Sequence, residues 1–379
     1  MTDPGRRSPD DVEDHSIHDL VRIRLVGAPA SASSRLSHVL GTTPAVPTGD
    51  ADMTITYLDP VRGGSTLRFL GRGRSAFDDE RFYVVEPTPG GPALLSLPFE
   101  QVGHDLHLTC ERGASRLSPL VPLVNLTMLA KGIVPIHGSA FTWRGAGVVA
   151  AGWSKGGKTE TLLAFMADGA AAIADEWTYV SPDRSIAGAA EPIRLEQSHL
   201  AGSEGLRVAV PRRARARLRA LGAVATAHRG AFVGRRRLPG AKIANALMPA
   251  VTARQGITVS PQQLFGDRYA GRGRLEHLVL LMTAEIDRPQ IRSIDASEVV
   301  DRMVFAHLHH RLDLVARYYE SRFAFPDRRC ELLDAIERTE RELLHHALTG
   351  IPCAEVRVPY PPTIAELHRV VASHLESAA

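Results

Sequence analysis

Residues 152–159 read GWSKGGKT. The first and last glycines of this stretch, its second lysine and its threonine stand at the spacing G-x-x-x-x-G-K-[ST], which is typical of a phosphate-binding P-loop. The apolar run GVVAA at 147–151 indicates a buried strand before the loop, and apolar residues at helical spacing follow it over 159–167. We therefore predict an α/β fold in which this stretch, the glycine loop, joins a strand to a helix N-terminus, where backbone N–H groups and the helix dipole favour an anion.

The residues of the glycine loop have distinct expected tasks. Glycines allow a tight bend that points several N–H groups, from residues 153–159, at one anion. Lys158 can reach the outer phosphates, and the hydroxyl of Thr159 is placed to contact Mg²⁺. A glycine-rich turn that matches the spacing by chance is the alternative. The motif predicts contacts to ATP from Gly152, Ser154, Lys155, Gly156, Gly157, Lys158, Thr159 and Glu160.

Two adjacent carboxylates, Asp175 and Glu176, form an acidic pair soon after the loop. The intervening helix is predicted to end at Asp168, with Gly169 as a left-handed cap, and a short apolar strand spans 170–174. Such a pair suits phosphoryl transfer, because one carboxylate can hold Mg²⁺ while the other takes a proton from an attacking hydroxyl. A solvated acidic pair in a turn is the alternative interpretation.

His137 lies in the stretch IHGSA at 136–140, ahead of the strand that enters the loop. A single histidine in such a place is commonly a core residue held by one hydrogen bond. It can also line the phosphate pocket as an acid, a base or an orienting group. Both interpretations stay open from the residues alone.

Three motifs in this order carry a resemblance: His137-Gly138-Ser139-Ala140, then GWSKGGKTE at 152–160, then ADE at 174–176. Together they resemble the HPr kinase/phosphorylase family of P-loop kinases. Its relatives include small-molecule serine kinases and kinases of peptide natural products, and the wider group is similar to phosphoenolpyruvate carboxykinase. The resemblance is specific over about 135–182 and weaker at 351–360, which looks like the last strand of these kinases.

The resemblance implies an HPr-kinase/PEP-carboxykinase-like α/β P-loop domain that uses ATP and Mg²⁺. The first acid of the pair would be the catalytic base and the second would help to bind the metal, while His137 matches the family's pocket histidine. Relatives often assemble as rings or dimers, so a homo-oligomer is one expectation. The implied catalytic residues are Asp175, His137 and Lys158, and the implied metal-binding residues are Thr159, Glu176 and Asp175.

Two departures from the family bear on the substrate. Glu176 stands where the HPr enzymes have aspartate, and we find no convincing copy of the signature segment that follows in the bifunctional enzymes. Both argue against HPr as the acceptor and against reverse phosphorolysis. We expect phosphorylation of a hydroxyl, favouring serine, on a peptide, a protein or a small molecule. The alternatives are a non-catalytic ATP-binding regulatory protein and a carboxykinase-like enzyme acting on a small acid.

Composition excludes several classes of protein. Of the 379 residues, 23% are charged and 44% hydrophobic, as in ordinary globular chains, and the net charge of +3 gives no general support for a nucleic-acid partner. Three widely separated cysteines exclude a disulfide framework and a zinc ribbon. Because no apolar run reaches membrane-spanning length and the N-terminus is polar, we expect a cytoplasmic protein without a membrane partner.

The chain divides into three predicted parts. Residues 1–19 are polar and are predicted to be a disordered tail. Short alternating runs between Gly/Pro turns predict a smaller mixed or mostly β domain over 20–115, which serves either recognition or capping. The P-loop kinase domain follows over 116–379, and begins with an apolar helix at 117–130 and a strand pair at 133–143.

Two basic stretches lie outside these motifs. Nine arginines lie between residues 212 and 237, and suit a solvated helix and loop, an acidic peptide, nucleotide phosphates or nucleic acid. Stacking on bases is poorly supported, because Phe232 is the only aromatic residue among them. In the Gly/Arg loop at 266–274, Arg272 and Arg274 are candidates for neutralising charge on the transferred phosphoryl group.

Overall fold

A computed structural model describes residues 11–61, 66–88, 90–114, 117–202, 210–232, 256–360 and 363–378. The first sheet consists of strands Val12–Ile17 (β1), Val21–Val26 (β2), Met53–Leu58 (β3), Arg68–Leu70 (β4), Ser75–Phe77 (β5), Phe82–Thr88 (β6), Gly91–Ser96 (β7) and Leu106–Glu111 (β8). Within the described residues its order is β1-β2-β3-β8-β7-β6-β5-β4, with β3 parallel to β2 and β8 and the other neighbours antiparallel.

The disordered tail predicted for residues 1–19 is wrong in its second half, because β1 pairs with β2 along its whole length. The polar composition of this segment favoured disorder, but its charged and hydrogen-bonding side chains find partners inside the fold. Asp14 is buried and accepts a 2.8 Å hydrogen bond from Arg24 Nε, and His15 Nδ1 lies 2.9 Å from Thr42 Oγ1. Residues 1–10 lie outside the described residues.

The second sheet carries the glycine loop. Its strands are Val134–Trp143 (β9), Ala146–Gly152 (β10), Ala171–Ala174 (β11), Trp177–Val180 (β12), Ser185–Gly188 (β13), Arg272–Arg274 (β16), His277–Ala284 (β17), Gln290–Ile294 (β18) and Cys353–Pro359 (β19). In the described chain the order is β16-β13-β12-β9-β10-β17-β19-β18, and β11 also pairs with β9. Strands Ile193–Leu195 (β14) and Ile257–Val259 (β15) form a separate antiparallel ribbon.

The strand pair predicted at 133–143 is wrong, since residues 134–143 form the single strand β9. Pro135 and Gly138 lie within this extended strand rather than in a turn, and nearly all of its residues are buried. The antiparallel partner is β10, which follows after the tight turn at 144–145.

The helices are Ala30–Leu40 (α1), Leu120–Ala130 (α2), Lys158–Ala167 (α3), Gln197–Gly202 (α4), Arg212–Phe232 (α5), Pro261–Phe265 (α6), Ala296–His310 (α7), Leu312–Ala324 (α8), Glu331–Asp334 (α9), Ile336–Leu348 (α10) and Ile364–Ala378 (α11). Alternate residues of β10 face opposite layers. Val148 and Ala150 pack in the core with α3 and α11, whereas Val149 and Ala151 pack in the core with α7 and α10. The predicted α/β class is therefore confirmed as a mixed α/β fold in which helices cover both faces of the second sheet.

The boundary predicted near residue 115 falls between the end of β8 and the start of α2. The core of the first sheet nevertheless includes residues from α2, β12 and α8. The rings of Phe99 and Tyr318, for example, lie with centroids 5.4 Å apart. The two parts of the chain thus share packed surface. Among the described helices, none combines the length and apolarity that a membrane span needs.

Candidate active site

The glycine loop and the acidic pair lie on either side of β9. Both β10 and β11 run antiparallel to β9, so their C-terminal ends lie at a similar level along β9, opposite Gly138 and Ala140. Ala151 lies opposite Gly138, and Trp177 lies opposite His137. The N–H of Gly138 donates a 3.0 Å hydrogen bond to the carbonyl oxygen of Glu176. The strand order therefore brings together residues that are separate in sequence.

Two glycines of the loop are required by its backbone. Gly157 has φ 102°, a left-handed conformation that favours glycine, and it is the N-cap of α3 without a capping side chain. A Cβ atom on Gly152 would lie 2.4 Å from the carbonyl oxygen of Leu281, so only glycine lets the loop lie against β17. The first turn of α3 consequently begins directly at the loop.

Lys158 is buried in the loop, with 7% of its surface exposed. Its Nζ donates hydrogen bonds to the carbonyl oxygens of Gly152 (3.2 Å) and Trp153 (3.0 Å), and Ser139 Oγ donates to its carbonyl oxygen (2.8 Å). Burial lowers the pKa of Lys158, although the neighbouring carboxylates raise it. A buried ammonium group beside two carboxylates and a helix N-terminus is placed to meet an anion.

Asp175 contacts the loop directly. Its Oδ2 accepts a 3.1 Å hydrogen bond from Thr159 Oγ1, while its buried Oδ1 has no hydrogen-bond partner among the described residues. Burial, and then the charge of Glu176, raise the pKa of Asp175 to about 7. A carboxyl group with that pKa and an unpaired oxygen suits proton transfer near neutral pH.

Glu176 is held by His137, whose Nε2 lies 2.9 Å from Glu176 Oε2. Burial raises the pKa of Glu176, but the hydrogen bond from His137 and the nearby charge of Lys158 outweigh it and lower the pKa below its usual value. A carboxylate can only accept, so Nε2 of His137 carries the proton. Burial lowers the pKa of His137, which favours its neutral form.

These residues line a cavity of about 750 Å³. Of the loop residues predicted to contact ATP, Gly152 and Gly156 do not line it, and instead pack behind the loop against β17. The remaining predicted residues all line it: His137, Ser154, Lys155, Gly157, Lys158, Thr159, Glu160, Asp175 and Glu176.

A polar wall of this cavity, which no sequence motif indicates, comes from Glu196 before α4 and from His199 in α4. His199 Nε2 lies 3.1 Å from Glu160 Oε1, and its Nδ1 accepts a 3.1 Å hydrogen bond from the N–H of Glu196. Glu196 in turn lies 3.4 Å from Lys155 Nζ. Because 39 residues separate Glu160 from His199, no local pattern indicated this contact.

His310, at the end of α7, also lines the cavity, and no sequence motif indicates this position. Its ring centroid lies 3.9 Å from that of His137 and 5.9 Å from that of Trp177. Burial, and then the neighbouring histidines, lower the pKa of His310 to about 4, so it is neutral at physiological pH.

A buried ion pair supports β9 from behind the cavity. The backbone N–H of His137 donates to His307 Nε2 (3.2 Å), so the other ring nitrogen of His307 donates to Glu340 Oε1 (3.0 Å). Arg311 forms a bidentate pair with Glu340 at 2.6 and 2.7 Å. Burial raises the pKa of Glu340, but its contacts with His307 and Arg311 outweigh this and lower the pKa to about 2.

Replacing Glu340 by glutamine is expected to destabilise the protein by about 3 kcal/mol at pH 7, because it leaves the Arg311 charge buried without a counter-ion. The pKa of Glu340 is depressed, so its contribution is complete above its ordinary value and is lost as the pH falls from about 4.5 to about 2. Urea unfolding should therefore show a large difference between variant and native protein at pH 7 and a smaller one at pH 3.

The control for this measurement is Glu337→Gln on the same helix, since the Glu337 side chain is 52% exposed and pairs with Arg341 at the surface. This change should cost less than about 0.5 kcal/mol at either pH. Equal losses in the two variants would contradict the role assigned to the buried pair.

The arginines predicted to reach the phosphoryl group do not lie at the cavity. Arg272 and Arg274 are in the edge strand β16, and Arg272 donates to the carbonyl oxygen of His18 at 2.9 Å. Strand pairing of β16 with β13 holds them away from the loop, so this prediction is wrong. In α5, Arg212, Arg213 and Arg219 are exposed and do not line the cavity, whereas residues 233–237 lie outside the described residues.

The oxygen atoms around the loop suit Mg²⁺ better than a softer metal. In the described residues, no three His, Cys, Asp or Glu side chains are grouped as a metal site. Mg²⁺ commonly uses one or two carboxylates together with substrate phosphates and water. The Thr159 hydroxyl, Oδ2 of Asp175 next to that hydroxyl and the half-exposed carboxylate of Glu176 fit that requirement.

Neither the protein-family models nor the curated protein sequences compared with this chain give a match. The geometry of the cavity therefore carries the functional argument.

Proposed function

We propose that the protein is an ATP- and Mg²⁺-dependent kinase of the HPr-kinase-like P-loop type, which transfers a phosphoryl group to a hydroxyl group, favouring serine. The observation that carries this proposal is the hydrogen bond between Thr159 and Asp175. It joins the glycine loop to the acidic pair in one cavity, as phosphoryl transfer requires.

In the proposed reaction, backbone N–H groups of the loop and the first turn of α3 bind the phosphates. Lys158 exchanges its carbonyl partners for phosphate oxygens and draws charge from them. Thr159, Glu176 and Asp175 would hold Mg²⁺, which supplies further charge neutralisation when bound. His137 fixes the orientation of Glu176 through the hydrogen bond between them.

Asp175 is the proposed base. The acceptor oxygen forms a bond to the γ-phosphorus as the bond from that phosphorus to the β-γ bridging oxygen breaks, which releases ADP. Asp175 takes the hydroxyl proton, and its unpaired oxygen provides a position for it. Trp177 and His310, both uncharged, line the cavity beside the acidic pair. That end of the cavity therefore suits an acceptor that carries few charges.

The test is incubation with ATP labelled at the γ-phosphate and Mg²⁺, with free serine, serine-containing peptides and HPr as separate acceptors. We expect the label to appear in an ester of a hydroxyl group. ATP binding without label transfer or ADP release would instead favour a regulatory ATP-binding protein. Formation of a carboxylated or decarboxylated small acid would favour a carboxykinase-like enzyme.

A further inference from the structure

The cavity has two ends of different chemistry. One end holds the acidic pair, which lies between β11 and β12, together with Trp177 at the start of β12 and its partner His137 in β9. The other end holds Tyr360, just after β19, and Ile364 in the first turn of α11. In sheet order the strands between them are β12, β9, β10, β17 and β19. Four strand steps at about 4.8 Å span roughly 19 Å, which is comparable to the length of an extended nucleoside triphosphate.

The glycine loop lies between these ends, because β10 is the middle strand of the five. Phosphates bound on the loop with the terminal phosphoryl group toward Asp175 leave the nucleoside to extend in the opposite direction. In the sheet, that direction crosses β17 and ends at β19, where Tyr360 lies.

Tyr360 provides an exposed aromatic ring on which a nucleobase can stack. Tyr360 is 73% exposed although it lines the cavity, while Ile364, which lines the same cavity, is half-buried. An exposed aromatic ring and an aliphatic side chain that line the same cavity offer a stacking surface for a planar heterocycle. The opposite end offers carboxylates and the loop between the ends offers a buried ammonium group, so these parts suit metal and phosphates rather than a base.

We propose that the Tyr360–Ile364 end of the cavity binds the nucleobase, which stacks on the Tyr360 ring. This inference rests on the proposed function, since it takes a nucleoside triphosphate as the ligand. It assigns Tyr360 as a binding residue that acts on nucleotide affinity, without a part in the transfer step.

The test compares two ligands, ATP and inorganic tripolyphosphate, by titration calorimetry with Mg²⁺ present. Native protein should bind ATP more tightly than tripolyphosphate. Tyr360→Ala should weaken ATP binding roughly tenfold, as expected for loss of one stacking contact, and leave tripolyphosphate binding unchanged. Tyr360→Phe should retain native affinity for ATP, because stacking needs the ring and not the hydroxyl.

Tyr319→Ala is the matched control, since Tyr319 is 67% exposed on α8 and does not line the cavity. Native ATP affinity in Tyr360→Ala would overturn the assignment, and so would an equal loss for ATP and tripolyphosphate. If native protein binds tripolyphosphate as tightly as ATP, the base is not recognised at all. If it binds neither ligand, the proposed kinase function fails as well. This outcome differs from the preceding ones, in which only the nucleobase assignment fails.

Discussion

Asp175→Asn is expected to lower turnover by about three to four powers of ten, while the affinity for ATP stays within a few-fold of the native value. An amide cannot accept the proton of the acceptor hydroxyl, so the transfer step loses its base. Asparagine keeps the size of the side chain, and its oxygen can still accept the hydrogen bond from Thr159. The loop that binds the phosphates should therefore stay in place.

The measurement is kcat with γ-labelled ATP, together with ATP affinity by calorimetry on the same preparation. Asp183→Asn is the control, because Asp183 lies in the turn between β12 and β13 and does not line the cavity. Its turnover should match that of native protein. If Asp175→Asn loses ATP binding but keeps its turnover per bound nucleotide, Asp175 acts in binding and the assigned role is wrong.

The part of this site that could be predicted from sequence is the part encoded locally. The glycine loop, the helix after it and the acidic pair lie within one strand-loop-helix-strand unit, so spacing and periodicity were sufficient to place Lys158 and Asp175 near each other. The capping glycine at 169 has φ 85°, as the predicted end of the helix requires.

The missed residues reach the site through long-range contacts. His199 meets Glu160 only because the ribbon β14–β15 positions α4 over the loop helix. His310 is near His137 because α7 covers the sheet face behind β9, which no residue pattern in α7 specifies. Strand β1 was not predicted for a related reason. Asp14 is typical of a polar tail in the sequence, and its partner Arg24, which neutralises it, lies ten positions away.

Lys158→Ala is expected to reduce kcat/KM for ATP by at least about a thousandfold, because one substitution removes both the charge at the outer phosphates and its fixed position. The loss of activity should not be accompanied by an equally large loss of folding stability. Burial lowers the pKa of Lys158, which means that folding disfavours its charged form. A volume-matched Lys158→Met change relieves that cost without opening a hole, so its thermal midpoint without ligand should equal or exceed the native value.

Thermal unfolding of the two Lys158 variants, with and without ATP and Mg²⁺, separates the contributions to binding and to folding. Native protein should gain stability on adding nucleotide, since a ligand that binds only the folded state raises the midpoint, and both variants should gain little. Lys131→Ala is the matched control, because Lys131 is half-exposed, pairs with Asp52 at 2.8 Å and lies outside the cavity. Full activity in Lys158→Met would remove the phosphate-binding role, whereas a lower midpoint without ligand would show that Lys158 holds the loop together through its bonds to Gly152 and Trp153.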